Sequence, residues 1–264
     1  MIKKSLIVIL LAIGCAINLF AGAFSETNKF SIDSVNDIDI SLMFENLYVS
    51  LWKGNEIVIT SESNNKSMIP EVVLNDKNLQ IKNNDYEYEN KYFCDVSLML
   101  PEKFVADKIA INAPYKKLVI KKLIARTVSL IPGPDNYLAD IKVDYFEIPI
   151  PDEADINISN LDCKAFKISL VAGNLNLSLA HTPENESSAS VKHGNINLEI
   201  SETEKFTLKV TSYNSKFYNE FTSEKVDWVR DGITYKHNGG GPEITLHTFT
   251  GDIRAGEVLY ASTP

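Results

Sequence analysis

The chain has 264 residues, 44% of them hydrophobic, and carries 35 acidic against 26 basic side chains, a net charge of −9. That length admits one domain or two, and the apolar fraction supports a sizeable core. The acidic excess disfavours nucleic acid and anionic membrane surfaces, which need a basic footprint, and otherwise reads as a solvated face.

Residues 1–23 read as a secretory leader: Lys3 and Lys4 form the charged start, residues 6–13 the apolar centre, and Ala21-Gly22-Ala23 a small-x-small cleavage site. This segment holds no acid, so residues 24–264 carry 24 bases and a net charge of −11. Gly14, Cys15 and Asn18 interrupt the apolar run and make it a poor membrane anchor. A competing reading takes Ala12-Ile13-Gly14-Cys15 as a loose lipobox, with Cys15 as a lipidated terminus. Against it, the residues after Cys15 stay apolar as far as Ala23. No later stretch is apolar enough to span a bilayer.

From Phe30 onward short segments alternate apolar and polar residues, which predicts strands with one face inward and one outward. Residues 38–42, 47–51 and 57–59 are of this kind, and Lys53-Gly54-Asn55-Glu56 predicts a hairpin between the second and third. Residues 72–74 and 79–81 flank Asn75-Asp76-Lys77-Asn78, a second predicted hairpin. Residues 83–90 form an acidic, tyrosine-rich loop. Residues 96–100 make a strand ended by Pro101, which cannot donate to a ladder. Beyond it, apolar triplets near 109–111, 118–120, 128–130, 141–143, 146–148 and 156–158 recur every eight to twelve residues or so, as in all-β chains.

Two segments carry the same phrase: Gly173-Asn174-Leu175-Asn176-Leu177 and Gly194-Asn195-Ile196-Asn197-Leu198. A degenerate third closes the chain at Gly251-Asp252-Ile253, and residues 206–215 repeat the strand–turn pattern without glycine. Strand, glycine turn, strand, at a fixed period, is the signature of stacked coils. No segment sustains helical spacing over more than two turns. The fold class is therefore all-β: a single-stranded β-helix or β-solenoid of short repeated strands. Residues 1–23 are the leader and 24–264 one domain, with strands and hairpins over 24–100, repeat coils over 101–264, and an insertion near 219–234.

Glycine followed by Asn or Asp supplies a positive φ at a tight corner. Stacked coils would then set Asn174, Asn195, Asp252 and, at the same place, Asn214 one above another in a hydrogen-bonded ladder. Calcium is the functional alternative, but it needs a denser aspartate pattern than this, so structure is favoured. Cys94 and Cys163 are a candidate disulfide or two buried apolar residues. His181, His193, His237 and His247 lack ligand spacing and read as exposed strand positions, with His193 and His247 on outward faces of neighbouring coils. Asp140, Asp144, Asp152, Glu153 and Asp155 are dense enough to raise a carbohydrate-active enzyme, although acids in turns are usually solvated. Tyr86, Tyr88, Tyr92 and Phe93 are either a contact patch or packed on the solenoid. Neither a nucleophile elbow nor a phosphate loop occurs.

The opening Phe-x-Ile, the strands around Lys53-Gly54-Asn55, Val96-x-Leu98-x-Leu100-Pro101, the glycine repeats and the closing phrase ending at Gly251-Asp252-Ile253 resemble the bacterial putative-adhesin family of β-strand repeat proteins, related to the head GIN-domain adhesins. The resemblance runs from about Phe30 to Arg254 and departs from the pattern at 116–136 and 219–234. It implies an extracytoplasmic β-helix with no catalytic residues to carry over. The expectation is a secreted or cell-envelope protein with a structural or adhesive role, no catalytic, cofactor-binding or metal residues, and no cofactor. Its partner would be a surface glycan or a protein ligand, not nucleic acid, and its oligomeric state is open. The alternatives are a polysaccharide lyase or hydrolase, or an accessory of envelope stress signalling.

Overall fold

Period-two alternation dictates strands throughout, and strands are what form. The computed structural model describes residues 24–83, 91–149, 153–222 and 232–257 and the backbone of 224–227. The leader, its alternative lipid site at Cys15, Tyr86, Tyr88 and Asp152 lie outside the described residues. The first strands are β1 (Phe24–Ser31), β2 (Asp37–Ser41), β3 (Asn46–Trp52), β4 (Glu56–Ser63), β5 (Glu71–Asn75), β6 (Asn78–Lys82) and β7 (Cys94–Pro101). The middle of the chain forms β8 (Ala106–Ala113), β9 (Leu118–Ile120), β10 (Leu123–Pro132), β11 (Asn136–Ile148), β12 (Ile156–Ala172), β13 (Leu175–Leu179), β14 (Ser187–His193) and β15 (Ile196–Glu199). The last are β16 (Phe206–Ser212), β17 (Lys216–Asn219), β18 (Glu224–Asp227), β19 (Ile233–His237), β20 (Glu243–Thr250) and β21 (Ile253–Gly256).

These strands stack into two ladders. The first runs, in space, β5, β6, β2, β8, β10, β11, β12, β14, β20, β16, β19. The second runs β1, β4, β7, β3, β9, β11, β12, β13, β15, β21, β17, β18. Pairing is parallel through the middle and antiparallel at both ends. β11 and β12 are long enough to turn a corner and serve both ladders. This is the β-solenoid read from the sequence, and its rungs in the repeat region lie 19 to 21 residues apart.

Inward residues of successive rungs superpose. Ile156, Leu175, Ile196, Ile253 and Phe217 form one fully buried column, and Ile109, Val128, Phe146 and Phe166 another. Each such side chain contributes about 1.5–3 kcal/mol by leaving water, so the continuous core is the main source of stability.

Stacking order departs from chain order at both ends. The closing copy, β20–β21, lies between β14–β15 and β16–β17, two strands in from the end of each ladder. Similarly β2–β3 lies between β6–β7 and β8–β9. The hairpin predicted at Lys53-Gly54-Asn55-Glu56 does not form. β3 spends its two edges on β7 and β9, and β7 sits between β3 and β4, so β3 has no edge left for β4. The hairpin predicted over residues 75–78 does form, with Asp76 and Lys77 at φ 46° and 67°. Residues 224–227 and 233–237 leave the parallel pattern: β18 and β19 pair antiparallel to β17 and β16 and close the C-terminal end.

Candidate binding surface

The repeat phrase builds a corner column. Gly173, Gly194 and Gly251 take φ of 112°, 144° and 130°, a region that side chains disfavour. They are also stacked so closely that a Cβ on Gly194 would overlap the Gly173 carbonyl, and one on Gly251 the Gly194 carbonyl. Beside them runs an amide ladder. Asp155 Oδ1 accepts from the Asn174 backbone N–H at 2.7 Å and its Nδ2 at 2.9 Å, and Asn174 Oδ1 accepts from Asn195 N–H at 3.1 Å and Nδ2 at 2.9 Å. Asn195 Oδ1 then accepts from Asp252 N–H at 2.7 Å, and Asp252 Oδ1 from Lys216 N–H at 3.1 Å.

Asn214, expected in this ladder, is not part of it. Ile253 pairs with Phe217, which places Lys216 opposite Asp252 and leaves Asn214 exposed in the turn. A second ladder, which the sequence reading did not identify, joins Asn157, Asn176 and Asn197 through amide bonds of 2.7 and 2.6 Å. The oxygens of the corner column thus serve neighbouring N–H groups. Among the described residues there is no grouping of three or more His, Cys, Asp or Glu placed to hold a metal ion.

The acids singled out from the sequence are scattered by the fold. Asp140 accepts from Asn160 Nδ2 at 2.6 Å, Asp144 pairs with Lys164 at 2.8 Å, Asp155 caps the corner ladder, and Glu153 is exposed. Of the histidines, His193 and His247 do lie on outward faces of neighbouring rungs, and His181 is exposed beside Glu204 at 3.4 Å. Burial pushes Glu204 up, but the Thr182 N–H and the His181 ring outweigh it and hold the carboxyl below its ordinary value. His237 is not an exposed strand position. It is buried at the C-terminal end, stacked on Phe206 at 4.8 Å, with Nε2 donating to the Glu202 carbonyl at 2.7 Å, which leaves Nδ1 to accept from the Tyr235 hydroxyl at 3.1 Å. Next to it is a cavity of about 660 Å³ lined by Glu202, Glu220, Phe221, Asn238 and Glu257. Nearby, burial and then the Glu220 charge raise the Glu199 carboxyl.

Cys94 and Cys163 are both free and buried, so no disulfide joins them. Four rungs separate β7 from β12, roughly 19 Å at the usual strand spacing and far beyond disulfide reach. Tyr92 packs against the core and takes the Lys91 ammonium over its ring at 5.0 Å, and Phe93 N–H donates to Asn64 at 3.0 Å. These two residues belong to the solenoid wall.

Two lateral features of the described residues are candidate binding surfaces. One is a groove of about 560 Å³ over Ala125, Val143 and Cys163, edged by the ion pairs Lys142–Asp162 at 2.7 Å and Lys164–Asp144 at 2.8 Å. Each pair bridges adjacent rungs and neutralises its own charge. The other is the outward face of the first ladder, where Ser169, Ser190, His247 and Thr211 form one column and Lys167, Ser188, Thr245 and Lys209 another. One place further along the strands, Phe249 and Tyr213 stack at 5.0 Å with 10° between planes, 42% and 40% exposed, and His193 meets Phe249 edge-on at 6.1 Å. The sequence reading missed this aromatic pair, although alternation counted outward from buried Leu246 puts Phe249 on the outer face.

Residues 137–255 match the model of the family described as Toastrack DUF4097. Among solved structures, the chain is similar to a putative adhesin from Bacteroides fragilis, at 13% identity and a TM-score of 0.46 over 88% of this chain and 97% of that one. It is similar to a putative cell adhesion protein from Clostridium sporogenes, at 13% identity and a TM-score of 0.39 over 89% and 99%. A putative lipid binding protein from Parabacteroides distasonis is similar at 10% identity and a TM-score of 0.40 over 88% and 96%. No curated protein matches the chain.

Proposed function

We propose, starting from the match of residues 137–255 to the Toastrack DUF4097 family model, an exported cell-envelope or surface protein that binds a surface glycan or a protein through its lateral face. The exposed stacked pair Phe249 and Tyr213 carries the reading. Large aromatic side chains on a flat polar sheet face are what recognition surfaces concentrate, because they bury much area at little conformational cost. The residues around the pair, Lys192, His193 and Thr250, supply hydrogen-bonding groups at its rim. Export rests on the leader pattern at 1–23, with cleavage after Ala23; the intact mass of the exported protein checks it against a lipidated start at Cys15.

The scattering of Asp140, Asp144 and Asp155 over separate columns, each with its own structural partner, speaks for binding over polysaccharide cleavage. The test is a glycan and matrix-protein array, run with the wild type and with Phe249→Ser combined with Tyr213→Ser. The variant is expected to lose any captured ligand by about tenfold or more while unfolding at the same temperature. Ligand capture unaffected by both substitutions removes the pair from the proposal. Turnover of polygalacturonate, alginate or peptidoglycan that disappears on replacing Asp140 or Asp144 overturns the binding reading in favour of an enzyme.

A further inference from the structure

The two ladders end in strand edges, and β1 is the longest of them. It pairs along its whole length with β4 and, among the described residues, with no other strand, so its second edge presents unpaired backbone groups. Such an edge is a template for another strand. Its side chains are exposed or half-buried, and no described strand, proline or bulge blunts it.

The sequence of β1 is complementary to itself. With a two-fold axis through Thr27 and an antiparallel copy alongside, Phe24 falls opposite Phe30, Ser25 opposite Lys29, Glu26 opposite Asn28, and Thr27 opposite Thr27. This register keeps opposed residues in the same phase of the pleat, as antiparallel pairing requires. Phe24, Glu26, Asn28 and Phe30 share the face on which Phe30 packs against the core. Phe24, 43% exposed in the single chain, would gain the Phe30 ring of the second copy. The neighbouring registers fail: a shift one way opposes Glu26 to Glu26, and the other way opposes Glu26 to Phe30 and leaves Phe24 without a partner.

The geometry points to a second copy of this chain as the occupant of the β1 edge, in a two-fold dimer centred on Thr27 that joins two solenoids through one continuous sheet. The dimer does not depend on what the lateral face binds.

The test is sedimentation of the exported protein over a range of concentrations, where the mass is expected to rise from one chain to two. Thr27→Lys and Thr27→Asp each set like charges face to face at the axis and are expected to raise the dissociation constant by about tenfold or more, with the unfolding temperature unchanged. An equimolar mixture of the two variants is expected to recover the dimer, since lysine then faces aspartate. Thr27→Cys is expected to give a disulfide between chains on oxidation, because Cys94 and Cys163 are buried. A protein that stays monomeric at every concentration overturns the inference. So does a dimer that persists in both charged variants, or a mixture of them that remains monomeric.

Discussion

Gly194 is confined twice, by its φ of 144° and by the Gly173 carbonyl stacked against it. Gly194→Val therefore adds a shift of the corner backbone to a conformational cost of about 1–3 kcal/mol. Ile196, two residues on, is fully buried in an apolar column, and Ile196→Asp leaves a carboxylate there with nothing to pair it, at several kcal/mol. Asn197 faces outward but donates to Asn176 Oδ1 at 2.6 Å, so Asn197→Asp removes a hydrogen bond worth about 1 kcal/mol. Arg254 lies opposite in the register and offsets part of that loss. Urea unfolding of the three variants is expected to rank Ile196→Asp worst, Gly194→Val next and Asn197→Asp mildest. If Asn197→Asp matches Ile196→Asp, the inward face is misassigned.

The strand pair β20–β21 is the element on which the C-terminal half depends. It forms the rung between β14–β15 and β16–β17, contributes buried Ile244, Leu246 and Ile253, and carries Gly251 and Asp252 into the corner columns. His247 accordingly stands between Ser190 and Thr211 on the outer face. Adjacent rungs are about 4.8 Å apart, within disulfide reach, whereas two rungs are roughly twice that and beyond it. Cysteine pairs at 190 and 247, and at 211 and 247, are expected to cross-link in the native protein, and a pair at 190 and 211 is not. Mass measurement without reductant reads the outcome. A bridge between 190 and 211 would mean that β16 stacks directly on β14, with the closing strands elsewhere.

The whole molecule is a linear stack in which each rung touches its neighbours, so stability is close to a sum of rungs and opening starts from the ends. The two thiols report on this. Burial, followed by Glu45 and Asp95, pushes Cys94 up to about 12, and burial, followed by Asp162, does the same for Cys163. With so little thiolate at neutral pH, neither reacts in the folded state. Cys94 belongs to β7, two strands from the β1 end, and Cys163 to β12 in the middle of the stack. Pulse alkylation across a urea series is expected to label Cys94 at lower denaturant than Cys163. Labelling of Cys163 first, or of both together, would replace end fraying with another mode of opening.

Alternation in the sequence determined where strands run and which side chains point inward: Ile196 and Leu198 are buried as their spacing demands. The repeated Gly-Asn phrase determined the corner column and its ladder through Asn174, Asn195 and Asp252, because only glycine fits a positive φ against a stacked backbone. Period two, however, reports the face of a strand and not its neighbour. Every strand offers the same N–H and C=O groups along both edges, so the choice of partner falls to long-range packing. That choice put β7 between β3 and β4 where a local turn signal favoured a hairpin, lodged β20–β21 two strands inside the end, and set Lys216 in place of Asn214. It also buried His237 against Phe206, parted the two cysteines by four rungs, and brought Phe249 beside Tyr213. The residues fix the shape of each rung; only the folded stack fixes the order of the rungs, because order depends on contacts between segments far apart in the chain.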